Sequence, residues 1–105
     1  MRTTPAEPIP HPQLDEIELP AVLHALSDPV RLRIVTGLAR EDALSCGSFE
    51  LPVTKSTCTH HFKVLREAGV IRQTAAGTAR LNSLRREELD ARFPGLLATI
   101  LDAAA

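Results

Sequence analysis

"STCTHHFKVLREAG", residues 56–69, decides the fold. Cys58, His61, Phe62, Leu65 and Ala68 recur at three- and four-residue intervals, the spacing that gathers side chains on one face of an α-helix. Ser56, Thr59, His60, Lys63 and Glu67 point elsewhere, so the adjacent histidines leave the backbone in different directions, His61 inward and His60 outward. Thr54 is the N-cap candidate and Gly69 the stop signal, which predicts a helix from Lys55 to Ala68.

On the amino-terminal side, "REDALSCGSFELPVTKST" shows no long periodic run. Ala43–Ser45 fits a very short strand and Ser48–Leu51 a short helix ending before Pro52. Further upstream, "SDPVRLRIVTGLA" carries a clear helix start. Asp28 can cap, Pro29 suits the first helical position, and Leu32, Val35, Leu38 and Ala39 share a face, so a helix is expected to about Ala39. Before it, Leu14, Ile17, Ala21, Leu23 and Leu26 suggest a first helix within 16–27, its start blurred by Pro20. Residues 1–13 contain four prolines and few core formers, and read as a flexible arm ahead of a domain spanning 14–105.

On the carboxy-terminal side, two extended stretches, 70–75 and 79–82, flank Ala76-Gly77 and predict a hairpin. Ser83 is expected to cap a helix through Glu87, Leu89 and Phe93. A second stripe of Leu96, Leu97, Ile100 and Leu101 follows Pro94-Gly95, which either kinks one helix or separates two.

The order H-H-H-H-β-β-H describes a mainly α domain with a small β-hairpin, a winged helix-turn-helix. The paired helices would be 48–51 and 54–68, joined by "PVT". In such a module the second helix enters the major groove, its first residues meeting base edges. On this reading Lys55, Ser56, Thr57, Thr59 and His60 lie near DNA, Lys63 contacts phosphate, and Arg72 and Arg80 stand near the base of the wing. The wing tip, Ala75 to Thr78, is uncharged and would contribute little.

Charge supports the same face. The 105-residue chain has a net charge of -1, yet residues 55–86 hold seven basic side chains (Lys55, Lys63, Arg66, Arg72, Arg80, Arg85 and Arg86) against the single acid Glu67. Residues 1–50 hold eight acids and four arginines, so the sign reverses along the chain. Such asymmetry can orient a nearly neutral protein on a polyanion. With three aromatic residues, all Phe, the core falls to Leu, Val, Ile and Ala; a small aliphatic core often gains from a partner subunit. No apolar run approaches the roughly 20 residues needed to span a bilayer, and two cysteines make no secreted scaffold, so a cytoplasmic protein is expected.

These segments carry a resemblance. "ALSDPVRLRIVTGLA" (25–39) and "STCTHHFKVLREAGVI" (56–71) resemble the second-helix signature and the recognition helix with first wing strand of the ArsR-type winged helix repressors. With the wing and final helix, the likeness covers about residues 16–102. It implies a homodimer formed by the first and last helices, a double-stranded DNA partner with an inverted repeat, and repression relieved by an effector. It also implies that Ser56, Thr57, Thr59, His60 and Lys63 face DNA while Phe62 and Leu65 pack inside.

Many such repressors sense metals. The family's thiolate site uses a Cys-x-Cys pair, where this chain has Cys46 alone in "SCGS"; its last-helix site needs histidine, and residues 83–105 contain none. A soft site for Zn or Ni would have to recruit Cys46, Cys58 and a residue such as His11. A thiol-redox response through Cys46 and Cys58 is a second option, and packing of Cys58 as a small hydrophobe the plainest one. Catalysis is disfavoured, because Cys58 and His61 share a helix with no acid placed to complete them. A winged helix that binds an acidic protein partner is the rival class, and steep salt dependence of duplex binding would distinguish them.

Overall fold

A computed structural model of the chain describes residues 9–41, 44–45, 53–77 and 79–104. A single 3-10 turn, Leu14–Glu16, leads into α1 (Leu19–Leu26), α2 (Pro29–Arg40), β1 (Leu44–Ser45), α3 (Lys55–Glu67), β2 (Ile71–Ala76), β3 (Ala79–Leu84), α4 (Arg86–Arg92) and α5 (Leu96–Ala104). The strands form an antiparallel sheet ordered β1-β3-β2, with Ile71 opposite Leu84, Gln73 opposite Asn82 and Leu44 opposite Asn82 on the other side. The mainly α architecture with a hairpin wing is the one expected. The short helix expected at 48–51 lies outside the described residues.

The capping expectation at Asp28 holds in detail. Its Oδ2 accepts from the amides of Val30 (2.8 Å) and Arg31 (3.1 Å), satisfying two donors that a helix start leaves without partners, and Pro29 needs none. The Arg31 amide first, and the Val30 amide with it, hold the Asp28 carboxyl below its ordinary range against a smaller opposing effect of burial. Asp28→Ala should destabilise the fold by about 1 kcal/mol, read by urea unfolding at neutral pH. The sign follows from the lowered value. The contribution is complete above the unfolded carboxyl pKa and fades as pH falls through the folded one.

The first helix, expected within 16–27, is α1 at Leu19–Leu26; Ile17 is extended (φ -78°, ψ 118°) and buried, so the helix starts only after the 3-10 turn, and Pro20 fits its opening turn. One expectation is corrected. Ser83 does not cap a helix. It lies within β3 opposite Arg72, because the hairpin pairing continues to Leu84, and α4 starts at Arg86. At Pro94-Gly95 there are two helices and not a kink, since Gly95 turns into the left-handed region at φ +80°.

The core is one aliphatic cluster built around Ile17, Val22, Ile34, Val35, Leu38, Phe62, Leu65, Val70, Ile71, Leu89 and Leu97. It seats α3 on α1, α2 and β2. At the end of α3 the chain closes a Schellman motif: the Val70 amide donates to the Leu65 carbonyl and the Gly69 amide to the Arg66 carbonyl, both at 3.0 Å. Gly69 is the left-handed residue that this requires, at φ +86°, and it lies directly on Ile17. This joint sets the direction of the wing relative to α3.

Candidate nucleic-acid interface

Thr54 caps α3, its Oγ1 accepting from the Thr57 amide at 3.3 Å. Cys58, His61, Phe62, Leu65 and Arg66 are buried. Lys55, Ser56, Thr57, Thr59, His60 and Lys63 are all exposed. The six residues expected near DNA on this helix therefore lie outside the core. A 13-residue helix is about 20 Å long and, with its side chains, about as wide as the major groove.

Internal bonds define what this face can offer. Thr57 Oγ1 accepts from Thr54 Oγ1 at 2.9 Å, which leaves its own proton to donate, and Thr59 Oγ1 donates to the Lys55 carbonyl at 3.0 Å, which leaves its lone pairs. The His60 and His61 rings lie 6.2 Å apart and tilted by 49°, one toward solvent and one toward the core. Lys55, Lys63 and Arg80 have no ion-pair partner among the described residues.

The basic stretch is less free than its composition suggests. Arg85, with a side chain only 2% exposed, donates through Nε (2.9 Å) and Nη2 to the two oxygens of Glu88, and through Nη1 to the Pro12 carbonyl at 2.8 Å. Arg72, one of the wing-base residues expected near DNA, donates to the same Glu88 at 2.9 Å. The Arg85 hydrogen bond foremost, and the Arg72 bond with it, bring the Glu88 carboxyl down to about 2 against the opposing effect of burial. Arg66 is buried and donates to Gln73 Oε1 at 2.9 Å, and Gln73 in turn donates to Asn82 Oδ1 at 2.7 Å. Three of the seven cations thus serve the fold. Arg80 remains exposed on the wing, and Arg86, also exposed, reaches the Ala39 carbonyl at 3.1 Å.

Sequence reading missed these assignments for unequal reasons. Arg85 and Glu88 are three apart, a spacing that signals a helical pair. Arg72 and Glu88 are sixteen apart and meet only once the wing is folded. The same holds for Arg31, which α2 sends inward to His61, 3.1 Å away and thirty residues on.

His11, a weak metal candidate, accepts from the Gln73 amide through Nε2 at 2.9 Å and so covers an edge donor of β2. Burial first, then the charges of Arg72, Arg85 and Arg66, lower its pKa against a raising hydrogen bond at Ile9. Cys58 packs in the core at 7% exposure. Cys46 lies outside the described residues. No group of three His, Cys, Asp or Glu comes together to hold a metal among the described residues. Burial of Cys58 is the arrangement of a packed thiol.

No helix among the described residues is long and apolar enough to cross a membrane. The helix-turn-helix domain family matches residues 26–74, from the end of α1 into β2. An uncharacterised HTH-type transcriptional regulator of Bacillus subtilis (strain 168), YceK, is 35% identical over 82 residues, 75% of this chain and 82% of the relative. An ArsR-like transcriptional regulator from Rhodococcus sp. RHA1 superposes with a TM-score of 0.60 at 29% identity, covering 81% of this chain and 76% of that one. A crystal structure of an ArsR family transcriptional regulator shares the fold at a TM-score of 0.65 and 23% identity, over 81% and 93% of the two chains. With a capped helix presenting a polar, basic face beside a wing, and these relatives in agreement, the chain belongs to the ArsR family of DNA-binding helix-turn-helix transcriptional regulators.

Proposed function

We propose that the protein is a dimeric repressor that reads an inverted repeat in double-stranded DNA with the exposed face of α3 and is released by an effector. The observation that carries this reading is the division of α3. Cys58, His61, Phe62 and Leu65 fix it to the core, while Lys55, Ser56, Thr57, Thr59, His60 and Lys63 are left exposed at its start. Ser56, Thr57, Thr59 and His60 carry donors and acceptors suited to base edges, Lys55 and Lys63 suit phosphates, and Arg80 extends the positive surface along the wing. Arg72, whose charge is shared with Glu88, contributes least.

Dimerisation is supported by an apolar surface. Leu14, Leu19 and Leu23 are 41%, 40% and 46% exposed on the 3-10 turn and α1. Val22 and Leu26 of α1 and Leu96, Leu97 and Ile100 of α5 line one small apolar cleft, so both helices contribute to this side of the domain. A second copy covering this surface would give two α3 helices for half-sites about 34 Å apart. The cytoplasm, where a chromosomal operator lies, is then the place of action.

Lys63→Ala is the direct probe of the phosphate assignment. It should weaken binding to every duplex by a similar factor and reduce the slope of log affinity against log salt by about 0.9, measured by fluorescence anisotropy at several salt concentrations. Unchanged slope and affinity would remove Lys63 from the interface.

A further inference from the structure

We infer that Arg31 is a positioning residue for DNA reading, a clamp between α1, α2 and α3 whose hold on the recognition helix is lost when His61 takes up a second proton. The inference rests on the proposal that α3 reads DNA. Arg31 is buried, and each nitrogen of its fork has a partner. Nε donates to the Ala25 carbonyl at 2.7 Å and Nη2 to the His24 carbonyl, which Ser27 also caps, at 3.3 Å; both lie in the last turn of α1, where the helix end favours a cation. Nη1 points the other way, 3.1 Å from Nδ1 of His61 on α3. One planar group therefore fixes the end of α1 against the helix that carries Thr59 and His60.

The geometry assigns the proton. A guanidinium has donors and no acceptor, so His61 Nδ1 must accept and the ring proton must sit on Nε2. Nε2 faces Asp28 Oδ2 at 4.0 Å, an oxygen already held by the amides of Val30 and Arg31. The groups facing His61 are thus Arg31 and Asp28 from α2 and its cap, and His60 beside it on α3. α1 contributes His24, which holds Arg31 through its carbonyl and has an exposed side chain. A doubly protonated ring would set N–H against N–H at Arg31, in a buried place where like charges repel strongly, while Asp28 draws the opposite edge. The Nδ1 bond breaks and the reading face of α3 loses its registration on α1.

The test uses the full chain and a duplex of its own upstream DNA, with anisotropy recorded at constant ionic strength. His60→Gln is the parent, because it leaves His61 as the single histidine of α3. We expect its affinity to fall about fivefold or more between pH 7.5 and 5.5, the lower end of ordinary coupling between sites. Adding His61→Asn puts a non-titrating amide oxygen near the Nδ1 position. Whatever the affinity of that variant at pH 7.5, its ratio between the two pH values should be close to one. Arg31→Lys, a point donor that cannot span three acceptors, should lose affinity at pH 7.5.

Superimposable pH profiles for the parent and the His61→Asn variant would overturn the clamp. So would nitrogen NMR of the wild-type imidazole showing the proton on Nδ1 at pH 7.5, a measurement that needs no variant to fold. Failure of the wild type to retain the duplex at either pH would instead strike the DNA-reading proposal, and the tautomer would still decide the clamp.

Discussion

Gly69→Ala is expected to cost about 2–5 kcal/mol of folding stability, among the largest effects of any single substitution in this chain. Two independent penalties combine. At φ +86° an L side chain stands in the left-handed region, at about 1–2 kcal/mol. A Cβ there would also lie 2.6 Å from Cγ1 of Ile17 and 2.9 Å from its Cδ1, so a side chain only 1% exposed must move within a packed core, at about 1–3 kcal/mol. Urea unfolding at neutral pH measures the sum. The mechanism has its own signature: in a double-mutant cycle, Ile17→Ala with Gly69→Ala should cost less than the two single changes added, because the shortened side chain leaves room for the new methyl. Strict additivity would mean that the steric account is wrong. The position matters for function because the Schellman joint at Gly69 connects α3 to the wing.

Glu88→Ala should destabilise by about 2–3 kcal/mol, below the roughly 3–5 kcal/mol seen for breaking a fully buried pair because the Glu88 side chain is 34% exposed and partly screened. It leaves Arg85, almost wholly buried, with only the Pro12 carbonyl, and sets Arg72 loose on the wing. Glu88→Gln, which keeps an acceptor, should cost less. The pH dependence has a definite sign. With its pKa lowered from 4.5 to about 2, the Glu88 carboxylate contributes fully above pH 4.5, and that contribution is lost as pH falls toward 2. Urea midpoints at pH 7 and pH 3 should therefore converge more in Glu88→Gln than in the wild type. Equal sensitivity to acid in the two proteins would dismiss the Arg85–Glu88–Arg72 triad as a stabilising unit.

Much of this architecture was legible because it is written locally. The Asp28-Pro29 start, the Thr54 cap, the phase of Cys58, His61, Phe62 and Leu65, and the Gly69 stop are all decided within a turn or two of backbone, and the structure shows each of them. What the sequence hid depends on distant partners. Ser83 has the chemistry of a cap, but hairpin pairing claims it for β3. Leu14, Ile17 and Leu26 have nearly helical spacing, yet Ile17 is drawn out of the helix to fill the space under Gly69. The basic stretch overstated its free charge, since residue counts do not show that Arg85 and Arg72 converge on one carboxylate or that Arg66 turns inward to Gln73. Helical phase separated His60 from His61, while the partner of His61, Arg31, lies on another helix.

DNA reading by the exposed start of α3 is tested most directly by anisotropy of the full chain on a duplex of its own upstream DNA against a scrambled duplex of equal length, at two or more salt concentrations, with wild type and Lys63→Ala side by side. Tighter binding to the native duplex and steep weakening with salt are expected. The slope for Lys63→Ala should be shallower by about 0.9 on both duplexes. Equal binding to the two duplexes by the wild type, together with no change on replacing Lys63, would contradict it.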